Sequence, residues 1–410
     1  INYIAKSAGS AINPNIIGGS SVVLPGYILL DNTYGSASGA RASRYITSSN
    51  ASTLATASAG VTISTSNAIF AKNDITINGV SSAAQGVYTL AGMTSTTGAI
   101  GITGSTVSAS QGINFGAAIV ANAGNVTLTG ATTSGYGVFA GSFGITANNI
   151  LINGTSTAVP TWVVYLGALT INSASVGGNI TVTGNVTNLP DSSNGIYQAG
   201  TITAAVGSNI TFTSNNIINQ TGAINLLANT TANTANIIYD TTTGTKGSNI
   251  TGGAVTIGSG INSSAINYIA KSLGSSINPG AIGSSSVALP GYVLIDNTYG
   301  CTGSGCTPIT GYISASANNL VAQATPSVGA LINGAMFIHD AITINGSSNT
   351  NRGVDVSANI TSKNGDVTLN GATVSTIGVY VVAGNVVTGN NITINGAATS
   401  TSVSWVNQIA

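Results

Sequence analysis

Apolar and polar residues alternate along this chain in a short phrase that keeps returning. It reads DITING at 74–79, AIGITG at 99–104, NVTLTG at 125–130, NILING at 149–154, NITVTG at 179–184 and NITFTS at 209–214. It resumes as AITING at 341–346, DVTLNG at 366–371 and NITING at 391–396. Start-to-start steps are 25, 26, 24, 30 and 30 residues in the first series, then 25 and 25 in the second. A second phrase lies between: GVYTL at 86–90, GVFA at 137–140, GIYQA at 195–199, GVDV at 353–356 and GVYVV at 378–382.

Alternation is the period of a strand with one apolar face. It predicts an inward set of Ile75, Ile77, Val126, Leu128, Ile150, Ile152, Ile180, Val182, Ile342, Ile344, Val367, Leu369, Ile392 and Ile394. Thr and Asn, as in Thr393 and Asn395, fall on the outer side. The Gly that closes each phrase predicts a tight bend at positive φ. Two or three such strands in a unit of about 25 residues bury too little alone and must stack. The predicted fold is therefore all-β: a right-handed parallel β-helix, or β-solenoid, with coils of about 25 residues. Antiparallel sandwich domains also use short strands and Gly-rich turns, but they lack a phrase recurring at a fixed step.

A longer period encloses the shorter one. Residues 1–35 return at 266–300 with 27 of 35 positions identical, a register of 265 residues. This predicts a tandem array. The first repeat spans 1–265, irregular over 1–60 and regular over 61–265. The second occupies 266–410, irregular over 266–330 and regular over 331–410, and it stops part-way, as a window cut from something longer would. Pro14, Pro25, Pro279 and Pro290 sit in the irregular parts and interrupt ladders except at edges, strand starts or bulges. Irregular coils are expected there, with a protruding loop or a short helix.

Composition narrows the reading. Only 4% of residues are charged, all eight acids are Asp, and eight Lys and Arg balance them. Helix formers are scarce while Gly, Ser, Thr and Asn abound. Mean hydropathy is +0.38, and disordered chains combine low hydrophobicity with high net charge. No basic stripe points to nucleic acid. No apolar run is long enough to span a membrane, and no signal peptide is visible at Ile1.

The phrases GNVTLTGATTSGYGVFAG at 124–141 and NGDVTLNGATVSTIGVYVVAGN at 364–385 resemble the filamentous-haemagglutinin-like, β-strand-repeat exoproteins of bacteria. That resemblance implies secretion as a very long right-handed β-helix. Asn13-Pro14-Asn15 is similar to an Asn-Pro motif of that family's secretion domain. Here it lies inside a repeat whose second copy reads Asn278-Pro279-Gly280, so the secretion role is not carried over.

Candidate chemistry is sparse. His339 is the sole histidine and adjoins Asp340. Adjacent strand residues point to opposite faces, so no dyad is expected, only a solvated turn. Glycosidase chemistry needs two carboxyls about 5–10 Å apart. Asp31, Asp74, Asp191, Asp240, Asp296, Asp340, Asp355 and Asp366 are scattered, and no catalytic residues, cofactor or metal are expected. Cys301 and Cys306 enclose TGSG in a loop where the first copy has SASGARASR and no cysteine, and a disulfide between them is expected in an exported protein. Asn125, Asn179, Asn209 and Asn391 open Asn-X-Thr sequons, which the strand phrase creates automatically. Thr-X-Thr pairs such as Thr127/Thr129 and Thr181/Thr183 are the pattern of an ice-binding face, but they alternate with Thr-X-Asn pairs.

The expectation is a non-enzymatic, secreted, extracellular or cell-surface protein. It is a structural repeat unit of a long filament whose partner is itself, with the cell surface or matrix as a further contact. An adhesin stalk is the alternative, and an ice-binding protein or a polysaccharide-active enzyme ranks lower.

Overall fold

A computed structural model describes residues 1–7, 10–19, 21–33, 58–64, 68–158, 161–172, 178–188, 194–205, 207–227, 235–243, 248–258, 266–272, 275–297, 328–348, 351–373 and 376–398, with the backbone of 407–409. The described residues are strands, bridges and turns, with no helix. Coils of about 26 residues stack into a parallel β-solenoid of about 12 turns in all. The chain forms two compact units, Ile1–Thr203 and Ala204–Ala410.

Each coil has three faces. In the first unit one coil runs through Ile75–Ser81 on the first face, Val87–Thr89 on the second and Met93–Ser95 on the third. Ile100–Thr106 then begins the next coil, stacked on the first. In the second unit the same circuit runs Ile342–Ser348, Val354–Val356, Ile360–Ser362 and back to Val367–Thr373. Among the described residues the paired strands are parallel, so like residues meet like: Ile75, Ile100, Val126, Ile150 and Ile180 form one rung line.

These lines are the core. Ile75, Ile77, Val126, Leu128, Ile150, Ile152, Ile180, Val182, Ile342, Ile344, Val367 and Leu369 are all buried. Ile392 and Ile394 depart from the expectation: Ile392 is 46% exposed and Ile394 half-buried. They keep register with Val367 and Leu369, but Ile392–Ala398 is the last described strand of its face. A rung line has two flanks, and an end strand has only one covered.

The closing Gly also differs from expectation. Gly79, Gly104 and Gly130 lie within strands, and none is among the glycines with positive φ. A Cβ on Gly79, Gly104 or Gly130 would come within 2.1, 2.1 and 1.9 Å of the carbonyl oxygens of Gly86, Gly112 and Gly137. The chain turns the corner so tightly that the start of the second-face strand presses on the end of the first. This close approach explains both glycines of the two phrases together.

The described parts of the Pro-containing segments join the stack as irregular coils, held on the third face by single bridges, with Ile282 and Leu289 seven residues apart opposite Met336 and Ile338, only two apart. In the second copy, Ile266–Lys271 and Val293–Asp296 pair on the first face, with Ile277 on the second and Ile282 and Leu289 on the third. In the first copy Tyr3–Lys6 and Ile28–Asp31 pair likewise, with bridges at Ile12, Ile17 and Leu24. Pro14, Pro25, Pro279 and Pro290 all fall between these contacts, where no ladder donor is needed. The repeat boundary at 265/266 therefore lies inside the second unit and is no structural boundary.

Candidate functional site

The chain's chemistry lies in its outer ladders, its corners and the turns at Asp31-Asn32 and Asp296-Asn297. On the first face, outward Thr127, Thr129, Thr181 and Thr183 are half-buried. Their lines are mixed: Thr76, Gly101, Thr127, Leu151 and Thr181 follow one another in register. Asn345 and Asn370, on the side expected to face solvent, are buried. They join a side-chain ladder in which Asn370 Nδ2 donates to Asn345 Oδ1 at 2.8 Å, and Asn395 Nδ2 to Asn370 Oδ1 at 2.9 Å.

The Asn that opens each phrase has a second role. It stands at the corner before the long strand and bonds to its counterpart one coil away. Asn149 Nδ2 donates to Asn125 Oδ1 at 2.8 Å, Asn236 Nδ2 to Asn209 Oδ1 at 3.0 Å, and Asn391 Nδ2 to Asp366 Oδ1 at 2.9 Å. Asn125, Asn209 and Asn391 also open Asn-X-Thr sequons, and the spacing of one coil is the signal for a ladder.

The Asp-Asn turns carry the most specific geometry. After Asp31 the chain reads Asn32-Thr33, and Asn32 is fully buried. Its Nδ2 donates to Val80 O at 2.9 Å, and Val80 N donates to its Oδ1 at 2.7 Å. Asn297 repeats this on Ser347, at 2.9 and 2.7 Å. The side-chain amide thus makes the pair of bonds a peptide would make, extending the ladder at the turn. Asp31 Oδ1 fixes the turn by accepting from Thr33 N and Oγ1 at 2.9 and 2.6 Å. Asp240 does the same for Thr242 at 2.8 and 2.6 Å. Sequence reading missed these residues, although Asp-Asn-Thr recurs in both copies.

The remaining acids also serve the corners and turns. Asp74 Oδ1 accepts from Ala99 N at 2.8 Å. The buried Asp355 is paired with Arg352, whose guanidinium lies 3.8 Å from the centroid of the Tyr380 ring. His339 Nδ1 and Asp340 Oδ1 do meet, at 2.7 Å, contrary to expectation. Both lie in an exposed bend, where strand alternation does not apply, and His339 Nε2 reaches Asn364 Nδ2 at 2.9 Å. Ser362 Oγ donates to Asp340 O at 2.6 Å. Among the described residues no group of three or more His, Cys, Asp or Glu could hold a metal ion. Asp191, Cys301 and Cys306 lie outside the described residues.

On the second face of the first unit Phe139, Tyr165 and Tyr197 stack at centroid distances of 5.2 and 4.9 Å, flanked by Tyr136 and Trp162. The rings are tilted 34° and 40° to one another. Their π-faces meet each other along the stack. In the second unit a different set lies inside, where Tyr239 Oη donates to Gln220 Oε1 at 2.8 Å. Burial pushes the Tyr239 and Tyr268 hydroxyls well above the usual tyrosine range.

Comparison with protein-family models, with curated proteins and with solved structures finds no match to this chain.

Proposed function

We propose that this protein is a structural repeat unit of a long extracellular filament, continued by stacking coil upon coil. One observation carries the reading. At the junction of the two copies, Ala235–Asp240 pairs with Ile266–Lys271 in unbroken register, from Ala235 opposite Ile266 to Asp240 opposite Lys271. The receiving hexapeptide, INYIAK, is repeated unchanged at residues 1–6. A surface that accepts the end of one copy is thus present at the start of each, the condition for an open-ended array. The outer ladders of Thr and Asn and the zero net charge suit neighbours of the same kind. The resemblance to secreted bacterial β-strand-repeat exoproteins supports an extracellular or cell-surface setting. Self-association is the principal interaction, with no enzymatic activity and no cofactor.

The test is length against copy number. Chains carrying one, two and three copies of 1–265 should appear by electron microscopy as rods that lengthen by a constant step. Nine first-face strand steps lead from Tyr3 to its equivalent Tyr268, so at about 4.8 Å each the added length is about 43 Å. Beads on a string, or a step far from this, would overturn the reading.

A further inference from the structure

His339 and Asn364 meet at the corner between the third and first faces of the second unit. His339 Nδ1 faces Asp340 Oδ1 at 2.7 Å, and its Nε2 faces Asn364 Nδ2 at 2.9 Å. A carboxylate only accepts, so Nδ1 carries the proton and Nε2 presents its lone pair to the Asn364 amide. Asn364 lies exposed in a bend and is followed by Gly365. Three further bonds hold this dipeptide. Asn364 N donates to His339 O at 2.9 Å, Asn390 Nδ2 to Asn364 O at 2.6 Å, and Gly365 N to Ser362 Oγ at 2.9 Å. The first copy has the same serine bracket: Gly98 N donates to Ser95 Oγ at 3.0 Å, and Ser95 Oγ to Asn73 O at 2.8 Å. There the positions of the histidine and the asparagine are held by Lys72 and Thr97. The bracket is therefore common architecture, and His339 and Asn364 are what the second copy adds.

We infer that Asn364-Gly365 is a self-modification site at which His339 catalyses loss of the Asn364 amide. Gly365 N attacks Asn364 Cγ and closes a succinimide ring. The two atoms belong to neighbouring residues, so chain connectivity supplies the proximity, and Gly365 has no Cβ to obstruct closure. The Asn390 amide, donating to Asn364 O, draws charge from that peptide and makes its N–H easier to remove. The proton shed by Gly365 N passes through solvent to His339 Nε2. The imidazolium, stabilised by Asp340, returns it to Asn364 Nδ2 as the Cγ–Nδ2 bond breaks. One C–N bond forms and one breaks, ammonia leaves, and nothing is oxidised or reduced. Water then opens the ring to aspartate or isoaspartate, placing a new carboxylate two residues before Asp366 in a chain of zero net charge. Asn345 and Asn370 also precede glycines, but each is paired on both sides in the first-face ladder, which holds the backbone extended. Asn333-Gly334 is exposed at another corner, while the chain's one histidine is engaged with Asn364.

Peptide mapping of the full chain after timed incubation in neutral buffer tests this. Digestion in heavy-oxygen water marks any conversion that happens after unfolding. Aspartate and isoaspartate should accumulate at Asn364 ahead of Asn333, Asn345 and Asn370. H339A should slow conversion of Asn364 by about a hundredfold, the lower range of general acid–base catalysis, and leave Asn333 unchanged. H339Q keeps a hydrogen-bonding side chain but cannot shuttle a proton, so it should be as slow as H339A. His339 lies in an exposed bend, so neither substitution touches the core. A parent rate at Asn364 in H339Q would make His339 a positioning residue and overturn the proposal. So would a parent chain in which Asn364 converts no faster than Asn333. Faster conversion in H339A would overturn it as well, as the sign of a histidine that holds the amide away from Gly365 N.

Discussion

At the residue scale, alternation decides what a substitution does. Ile180 is wholly buried between Ile150 and its other neighbours, while Thr181 beside it points outward. Ile180→Asp buries an unpaired charge and should cost several kcal/mol; Thr181→Asp should stay within about 0.5 kcal/mol. Urea unfolding of the two variants checks this, and equal tolerance would mean the register is read the wrong way round. The interior tyrosines set an alkaline limit. Burial raises the Tyr268 hydroxyl above its ordinary value, so the native state keeps a proton that the unfolded chain loses above about pH 10. With the unfolded state binding fewer protons, stability must fall as pH rises through that window, by about 1.4 kcal/mol per unit for each such group. Tyr268→Phe should flatten this slope without altering stability's dependence on pH below 9, as a rough bound. An unchanged slope between parent and variant would refute the assignment.

At the element scale, the strands of the regular coils were legible because each phrase carries its own period: Ile-Thr-Ile at 75–77 repeats as Val-Thr-Leu at 126–128 and Ile-Thr-Ile at 392–394. The coils at 10–31 and 275–296 were not, since single bridging residues such as Ile12 and Ile17 hold them and one residue has no period. The glycine roles were misassigned for a related reason. Positive φ is a local property, whereas the approach of Gly130 to Gly137 O depends on the corner between two strands. The Asn clamps were hidden because Asn32 and Asn297 act on residues 48 and 50 positions away. Asn297→Ala should remove the bonds that the buried amide and carbonyl of Ser347 make to this side chain, at about 1–3 kcal/mol each. Hydrogen exchange should then show Ser347 NH losing protection, while Ile342 NH, bonded to Asp366 O at 2.9 Å, keeps it. Uniform loss along Ile342–Ser348 would mean that the clamp holds the whole strand and is not a local extension of the ladder.

At the scale of the whole molecule, association should depend on open strands and apolar rungs, not on charge. Tyr3–Lys6 is paired on one side only among the described residues, and Ile4 is 50% exposed. Ile392 is exposed because nothing described lies over its strand. An unpaired parallel edge with its backbone groups free is a template for another strand. INYIAK at 266–271 shows what such an edge accepts: a strand of the ANIIYD type, with an Asp opposite the Lys. With 4% of residues charged and a net charge of zero, there is little repulsion for salt to screen and little attraction for it to weaken. Chain 1–410 should therefore elongate with a sedimentation profile nearly the same at low and high ionic strength. Mutating the edge, Ile4→Lys with Ala5→Pro, should shorten the assemblies, because it removes a ladder donor and adds charge to a strand that must pair flat. A monomer at both ionic strengths, or assemblies that dissolve as salt rises, would show that coil stacking does not drive association and that the filament depends on covalent continuity of the chain.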